Sequence, residues 1–350
     1  MDTERRPKWR PRGVSFSSGG VLVTGHLGVM MRLLEAGTLD DVRDWYGCSG
    51  GSFCALYGAI GVSAAWIRDA VEYFDTRIIA GVEEENVVDF LSCWGVNSGV
   101  ALKELIGKFL DTWEPDASKW TFADFAANRP SVSLHITATN VTKGTLEVFN
   151  LANTPDVLVL DAVRASCAVP CFFTPWTKAG ELFCDGSLLE SYPWVCVEDK
   201  ANTLVVACYD NGLRRIPTPL HKIESFGDYI KKLSCLLQED RHAETPKNWI
   251  AINNITTSAL DFHITKDERL KLFREGITAA EGWLAFREKA VSSGIRETPL
   301  PTEGPCASLS CRPSQSKTSD SHPPGSPSPT PCRSLDLCSG GPRPRRRWSL

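Results

Sequence analysis

The chain has no excess of basic residues: Lys and Arg number 38 against 42 Asp and Glu, a formal charge of −4 over 350 residues. That excludes the strongly basic profile of an ordinary nucleic-acid binder. An apolar leader is also missing. Basic residues open the sequence (Arg5, Arg6, Lys8, Arg10, Arg12), but no apolar run follows them, so no secretory route is expected. The 13 cysteines are therefore expected to be reduced, in a cytoplasmic setting, rather than paired as a disulfide framework. Cys167, Cys171, Cys184 and Cys196 could be imagined around zinc, but no C-x-x-C pair supports such a site, and no metal or cofactor is expected. Neither G-x-G-x-x-G nor G-K-[ST] occurs in the Gly-rich turns discussed below, which argues against a nucleotide-phosphate loop. One uncharged run, Trp45 to Ile67, is 23 residues long. Its five Gly and three Ser make it weakly apolar, so it reads as a buried strand followed by a buried helix rather than a membrane span.

What is present is an ordinary globular composition, 42% apolar and 23% charged, with length enough for a large core. The exception is Pro299 to Leu350, where Pro, Ser and Gly make up half of the 52 residues. This stretch carries +4, leaving −8 on the body, and is too poor in large apolar residues to offset chain entropy. The expected organisation is a basic N-terminal extension (1–12), one large domain (13–297) and a Pro/Ser/Arg-rich disordered tail (298–350). The end of that tail, Pro342 to Arg347, could touch anionic membrane or serve as a nuclear signal; the plainer reading is a solvated tail.

Along the body, Gly13–Ser17 reads as a short buried strand, followed by a turn at Ser18-Gly19-Gly20 and helix spacing over His26–Ala36. Trp45–Cys48 reads as a second strand and Phe53–Ile60 as a second helix. Strand, helix, strand, helix is the start of a parallel α/β fold with right-handed crossovers. Ser63–Ile79 and Ala101–Trp113 show amphipathic helix spacing. Val132–Thr139 alternates as a strand, and Lys143-Gly144 turns it into Leu146–Phe149. Thr154-Pro155-Asp156 has the composition of a helix start. Glu181–Cys184 and Leu204–Cys208 read as strands, and Thr265 to Glu268 as a capping box opening a helix toward Ala290.

Three motifs point to chemistry. Gly47-Cys48-Ser49-Gly50-Gly51 is a G-x-S-x-G pattern between a strand and a helix, the context in which a serine sits on a tight turn with its hydroxyl exposed. The helix N-terminus behind Ser49 favours developing negative charge. Ser18-Gly19-Gly20 occupies a second strand-to-helix turn, where glycines let backbone N–H donors approach an oxyanion; a simple turn is the alternative. Asp185-Gly186 follows a strand and supplies a carboxylate that burial could raise toward useful basicity, though Asp-Gly is most often only a turn.

Taken together and in order, these blocks resemble the patatin-like phospholipases. Residues 17–37 (SSGGVLVTGHLGVMMRLLEAG) look like that family's glycine-rich block and following helix, and 47–52 (GCSGGS) like its nucleophile turn. Residues 164–175 (RASCAVPCFFTP) are similar to the stretch preceding its aspartate, and 184–193 (CDGSLLESYP) to the aspartate block. Segments 134–149 and 272–284 resemble weaker family segments. The resemblance implies a three-layer α/β/α fold with a mostly parallel central sheet. It implies a calcium-independent lipid acyl hydrolase of the phospholipase A or lysophospholipase type, working through a covalent acyl-enzyme. Ser49 would be the nucleophile, Asp185 the proton acceptor, and Gly19 and Gly20 the oxyanion glycines, with Gly47, Gly51 and Gly186 completing the motifs. A catalytically weak lipid- or protein-binding member and a triacylglycerol lipase are the alternatives.

The sequence departs from the family block at Ser18, Leu22, Val23 and Ser187. Val23 puts a Cβ where the family uses glycine, a restriction that could shift the oxyanion donors; Ser187 is a small change. A Ser-Asp-His triad is the rival constellation, since His221, His242 and His263 all follow the aspartate, although none sits in a recognisable loop signature. Cys48 and Cys184, near the motifs, read as buried structural cysteines rather than reactive thiols. Peripheral contact with a membrane or lipid-droplet surface is expected. Val87–Val96, with Phe90, Leu91 and Trp94, and Val169–Trp176, with Phe172, Phe173 and Trp176, would suit an interface if exposed and a core if buried; the second reads more as core.

Overall fold

A computed structural model describes residues 9–73, 75–210, 246–255 and 257–292. Chain contacts divide the protein into Met1–Pro301 and Thr302–Leu350, and the second unit, with the expected tail, lies outside the described residues.

The strands are β1 (Gly13–Phe16), β2 (Asp44–Cys48), β3 (Gly95–Asn97), β4 (Ser133–Asn140), β5 (Thr145–Phe149), β6 (Cys171–Phe173), β7 (Trp176–Lys178), β8 (Glu181–Asp185), β9 (Thr203–Asp210) and β10 (Trp249–Ile255). The helices are α1 (Val23–Glu35), α2 (Gly50–Ile60), α3 (Ala64–Tyr73), α4 (Glu84–Val88), α5 (Phe90–Cys93), α6 (Val100–Trp113), α7 (Phe122–Asn128), α8 (Val159–Ser166) and α9 (Lys266–Ser292). The central sheet runs β10-β9-β1-β2-β4-β8-β7, with β5 also paired to β4; β3 and β6 form a separate parallel pair. From β10 to β4 every pairing is parallel, while β5, β7 and β8 join antiparallel. The expected mixed α/β architecture, a mostly parallel sheet flanked by helices, is therefore present.

Sheet register sorts the core onto two faces. Val14, Trp45, Leu134 and Leu204 align across four strands, as do Phe16, Ile136 and Val206, and all belong to the main apolar cluster. Side chains one position along, Tyr46, Val205 and Ala207, face the other way and pack with Trp194 and Val197. Alternation along each strand produces this division.

Helix α9 opens as expected, with the Thr265 N–H and hydroxyl both donating to Glu268 Oε2 at 2.8 Å. It crosses α1 at backbone contact: a Cβ on Gly28 would lie 2.1 Å from Phe273 O, and one on Gly276 2.0 Å from Gly25 O. Two expectations are corrected. Thr154-Pro155-Asp156 does not start a helix; it forms a turn whose Pro155 and Val157 carbonyls accept the Ala123 and Phe122 N–H groups of α7, and α8 begins only at Val159. Ser63–Ile79 is not one helix either. α3 ends at Tyr73, and Asp75 caps a separate 3-10 turn over Thr76–Ile79 by accepting the Arg77 N–H at 3.0 Å.

Candidate active site

Ser49 stands between β2 and α2 at φ 51° and ψ −129°, a positive φ that an L-residue holds only when its surroundings enforce it. Three hydrogen bonds do so. The Ser49 N–H donates to Ser166 Oγ at 2.8 Å, the Ser166 hydroxyl donates to the Thr137 carbonyl at 2.6 Å, and the Ser52 hydroxyl donates to the Ser49 carbonyl at 2.5 Å. The flanking glycines are required by space. A Cβ on Gly47 would lie 2.5 Å from Ser52 Cα, and one on Gly51 2.3 Å from Ser17 O. The G-x-S-x-G spacing thus lets a strand, a helix and the neighbouring strand meet at one turn.

Asp185 reaches Ser49 through β4. Cys48, the last residue of β2, pairs with Thr137, and Asp185, the last residue of β8, pairs with Ala138. Because β5 occupies the opposite edge of β4, β2 and β8 meet end to end along one edge. Ser49 Oγ donates to Asp185 Oδ2 at 2.6 Å. The other oxygen, Oδ1, accepts the Ser187 N–H at 2.9 Å and the Ser187 hydroxyl at 2.7 Å. The Asp185 backbone is pinned as well, its N–H donating to Ala168 O and its carbonyl accepting the Thr139 hydroxyl. Asp185 is buried, and burial raises its pKa above the usual carboxylate range, against the opposing pull of the Ser49 and Ser187 hydrogen bonds. Ser187 therefore does more than fill a small space: it solvates one carboxylate oxygen.

The glycine turn abuts the serine turn. A Cβ on Gly50 would sit 2.8 Å from Gly20 O and 3.1 Å from Gly20 N, so the two backbones touch. Gly20 has φ 51°, and a side chain there would strike Ala259 O at 1.9 Å. The Gly19 N–H donates to no protein acceptor among the described residues, and Gly20 opens a 3-10 helix, where the N–H groups have no partner within the helix. Val23 adopts φ −49° and ψ −27°, right-handed helical geometry open to any L-residue, so its Cβ leaves the turn undistorted. His26 supports the turn from behind. Its Nε2 lies 3.3 Å from Ser17 Oγ, and burial lowers its pKa to about 3, keeping it neutral.

Ser49, Gly20 and Gly50 line a pocket open to solvent whose walls are mostly apolar, including Val23, Phe53, Ile79, Leu102, Phe173 and Phe262. That composition suits an acyl chain. Arg164, overlooked at the sequence level, braces two of these walls. Its buried guanidinium donates to Ser98 O at 2.6 Å and Thr174 O at 2.5 Å and lies 5.2 Å from the Phe173 ring centre. Its only sequence signal is its place at the head of the 164–175 block, as is also true of Ser166.

No histidine among the described residues is hydrogen-bonded to Ser49 or Asp185. His263 is exposed, and His221 and His242 lie outside the described residues. Cys167 lines the pocket, while Cys48 is fully buried with its thiol directed at Glu190 O. Burial raises the pKa of Cys48, and that of Cys184 to about 11, which suits structural thiols. Among the described residues no group of three or more His, Cys, Asp or Glu could hold a metal ion, and no helix is long and apolar enough to cross a membrane.

Comparison with known proteins now places this geometry. The solved structure of VipD from Legionella pneumophila has a similar fold, with a TM-score of 0.54 and 18% identity over 82% of this chain and 72% of that one. The ExoU–SpcU complex of Pseudomonas aeruginosa is a looser match, with a TM-score of 0.45 and 18% identity over 81% of this chain and 53% of ExoU. An uncharacterized protein of Acanthamoeba polyphaga mimivirus, R571, is 21% identical over 287 residues, 77% of this chain and 92% of its own length. The model of the patatin-like phospholipase family matches residues 14–195, from β1 through the Asp185 turn. That span holds the Gly19-Gly20, Ser49 and Asp185 motifs and more than half of the chain, and the protein therefore belongs to the patatin-like phospholipase family, a membership that supports lipid-ester hydrolysis.

Proposed function

We propose that the protein is a lipid acyl hydrolase of the phospholipase A or lysophospholipase type, acting through a Ser49–Asp185 dyad and a covalent acyl-enzyme without calcium. The observation that carries this reading is the 2.6 Å hydrogen bond from Ser49 Oγ to Asp185 Oδ2 beside an apolar pocket. Asp185 Oδ2 takes the hydroxyl proton as Ser49 Oγ attacks the ester carbonyl carbon. Negative charge then develops on the carbonyl oxygen. The Gly19 and Gly20 N–H groups and the N-terminus of α2 are the donors and dipole at hand to hold it. Collapse of the tetrahedral species expels the alcohol, which takes the proton back from Asp185, and leaves an acyl group on Ser49 Oγ. Water attacks the acyl carbon and gives a proton to Asp185; collapse then breaks the acyl C–Oγ bond, Ser49 Oγ takes that proton back from Asp185, and the fatty acid leaves.

Fatty-acid release from phosphatidylcholine vesicles with calcium chelated tests the proposal. The wild type is expected to release fatty acid. Ser49→Ala and Asp185→Asn, each confirmed folded, are expected to lose about 10³-fold or more. Release that survives Ser49→Ala, or that requires calcium, sinks the dyad mechanism.

A further inference from the structure

The pocket has an apolar outer side that the acyl-hydrolase mechanism does not use. Of the twelve exposed large apolar side chains among the described residues, eight fall within residues 73–100. Val88 is 84% and Leu91 88% exposed, and Ile78, Val82, Val87 and Trp94 stand around them in sequence. Among the two apolar stretches weighed from sequence, then, 87–96 is on the outside, whereas Phe173 of the second is buried in the pocket wall. A soluble protein seldom leaves such a concentration of apolar surface open without a use. The same segment faces inward three residues apart along its 3-10 turn: Thr76 and Ile79 line the pocket, while Ile78 is exposed. One short stretch of chain therefore forms pocket wall on one side and exposed apolar surface on the other.

Its charge is specific. Residues 73–100 hold five acidic side chains, Asp75, Glu83, Glu84, Glu85 and Asp89, against the single base Arg77. Arg77 is paired with Asp75, and Glu83 accepts from Ser98 and Asn86. Glu84, Glu85 and Asp89 have no cationic partner among the described residues. An anionic lipid surface would be repelled by this set, whereas an uncharged or zwitterionic one would not. Trp94 adds an anchor. It is half exposed, and its indole N–H donates to Leu91 O at 2.9 Å, so the ring can enter an apolar layer without leaving a donor unpaired.

We propose that residues 75–100 dock the protein on zwitterionic phospholipid surfaces and discriminate against anionic ones. The docking takes its purpose from the lipid-hydrolase reading, but its test does not depend on turnover. Co-flotation of full-length Ser49→Ala protein is measured with pure phosphatidylcholine vesicles and with vesicles containing phosphatidylserine. Strong binding to the first, weaker binding to the second and recovery of the second in high salt are expected. Val88→Asp with Leu91→Asp is expected to weaken phosphatidylcholine binding at least ~10-fold, while thermal unfolding and hydrolysis of a soluble short-chain ester in the Ser49 background stay unchanged. Glu84→Lys with Glu85→Lys is expected to restore binding to the anionic vesicles. Equal or tighter binding of anionic vesicles by the Ser49→Ala protein overturns the proposal, as does indifference to Val88→Asp/Leu91→Asp. A dimer that these substitutions dissociate overturns it too, by assigning the face to a second copy. If the wild type fails to release fatty acid from phosphatidylcholine vesicles while binding persists, the hydrolase reading falls and the docking stands.

Discussion

In the proposed mechanism the buried Asp185 carboxylate acts as the base, and two opposing influences set its basicity. Burial raises its pKa; the hydroxyls of Ser49 and Ser187 stabilise the anion and pull it back. The proposed mechanism needs the ionised form, so activity is expected to be lost as pH falls through the pKa of Asp185 in the folded protein. Ser187→Ala removes the 2.7 Å hydroxyl donor, raises that pKa further and is expected to move the acid limb of kcat/KM to higher pH, with activity recovering on the alkaline side. Ser187→Thr, which keeps the hydroxyl, is expected to keep the wild-type profile. A uniform loss at every pH would instead make Ser187 a packing residue. The sequence made Ser49 and Asp185 legible because each stands in a short pattern with a local physical reason. Ser166, which holds the Ser49 turn, was not legible in that way: it lies 117 residues from Ser49 at the end of α8, and only the packing of α8 on β4, with the Ser166 hydroxyl bonded to the Thr137 carbonyl, brings them together. Ser187 looked like a change of volume, because its contact is a hydrogen bond that composition does not display.

At the scale of elements, the crossing of α1 and α9 is the most demanding contact. Gly28 and Gly276 allow each helix to touch the other's backbone, with no room for a Cβ. Gly276→Val is expected to push α9 away from α1 and to cost about 1–3 kcal/mol or more, read as a lower Tm and a lower denaturant midpoint. A mutant of wild-type stability would mean that the helices slide without penalty. Helix α1 follows directly from the turn bearing Gly19 and Gly20, so activity is expected to fall along with stability. Long amphipathic or capped elements such as α1 and α9 were readable from period and caps. The three-residue strands β3, β6 and β7 were not, since three residues carry no period. The segment at Thr154-Pro155-Asp156 had every local mark of a helix start, and its carbonyls were nonetheless taken by α7.

For the molecule as a whole, His26 ties stability to pH. The unfolded chain binds a proton at an ordinary histidine pKa near 6.5, whereas the folded protein holds His26 neutral down to about 3. Between those values the unfolded state carries more protons, so stability falls as pH falls from about 6.5 toward 3. Tm measured across that window is expected to decline more steeply in the wild type than in His26→Gln, and identical slopes would remove His26 from the account. The sheet has a different whole-molecule consequence. Ser49 and Asp185 are 136 residues apart in the chain, yet Ser49 follows β2 and Asp185 ends β8, two strands that abut on consecutive β4 residues, Thr137 and Ala138. A slip of either strand by one residue, about 3.3 Å, would separate the pair and turn its side chains to the wrong face. The chain between α2 and β4, which carries part of the pocket wall (Thr76, Ile79 and Leu102) and the outward apolar segment, lies outside this register. If the proposed chemistry and docking hold, insertions and substitutions there retune which lipid arrives, and from which surface, while Ser49 and Asp185 keep their spacing; in evolutionary terms, selectivity and chemistry are then free to drift separately.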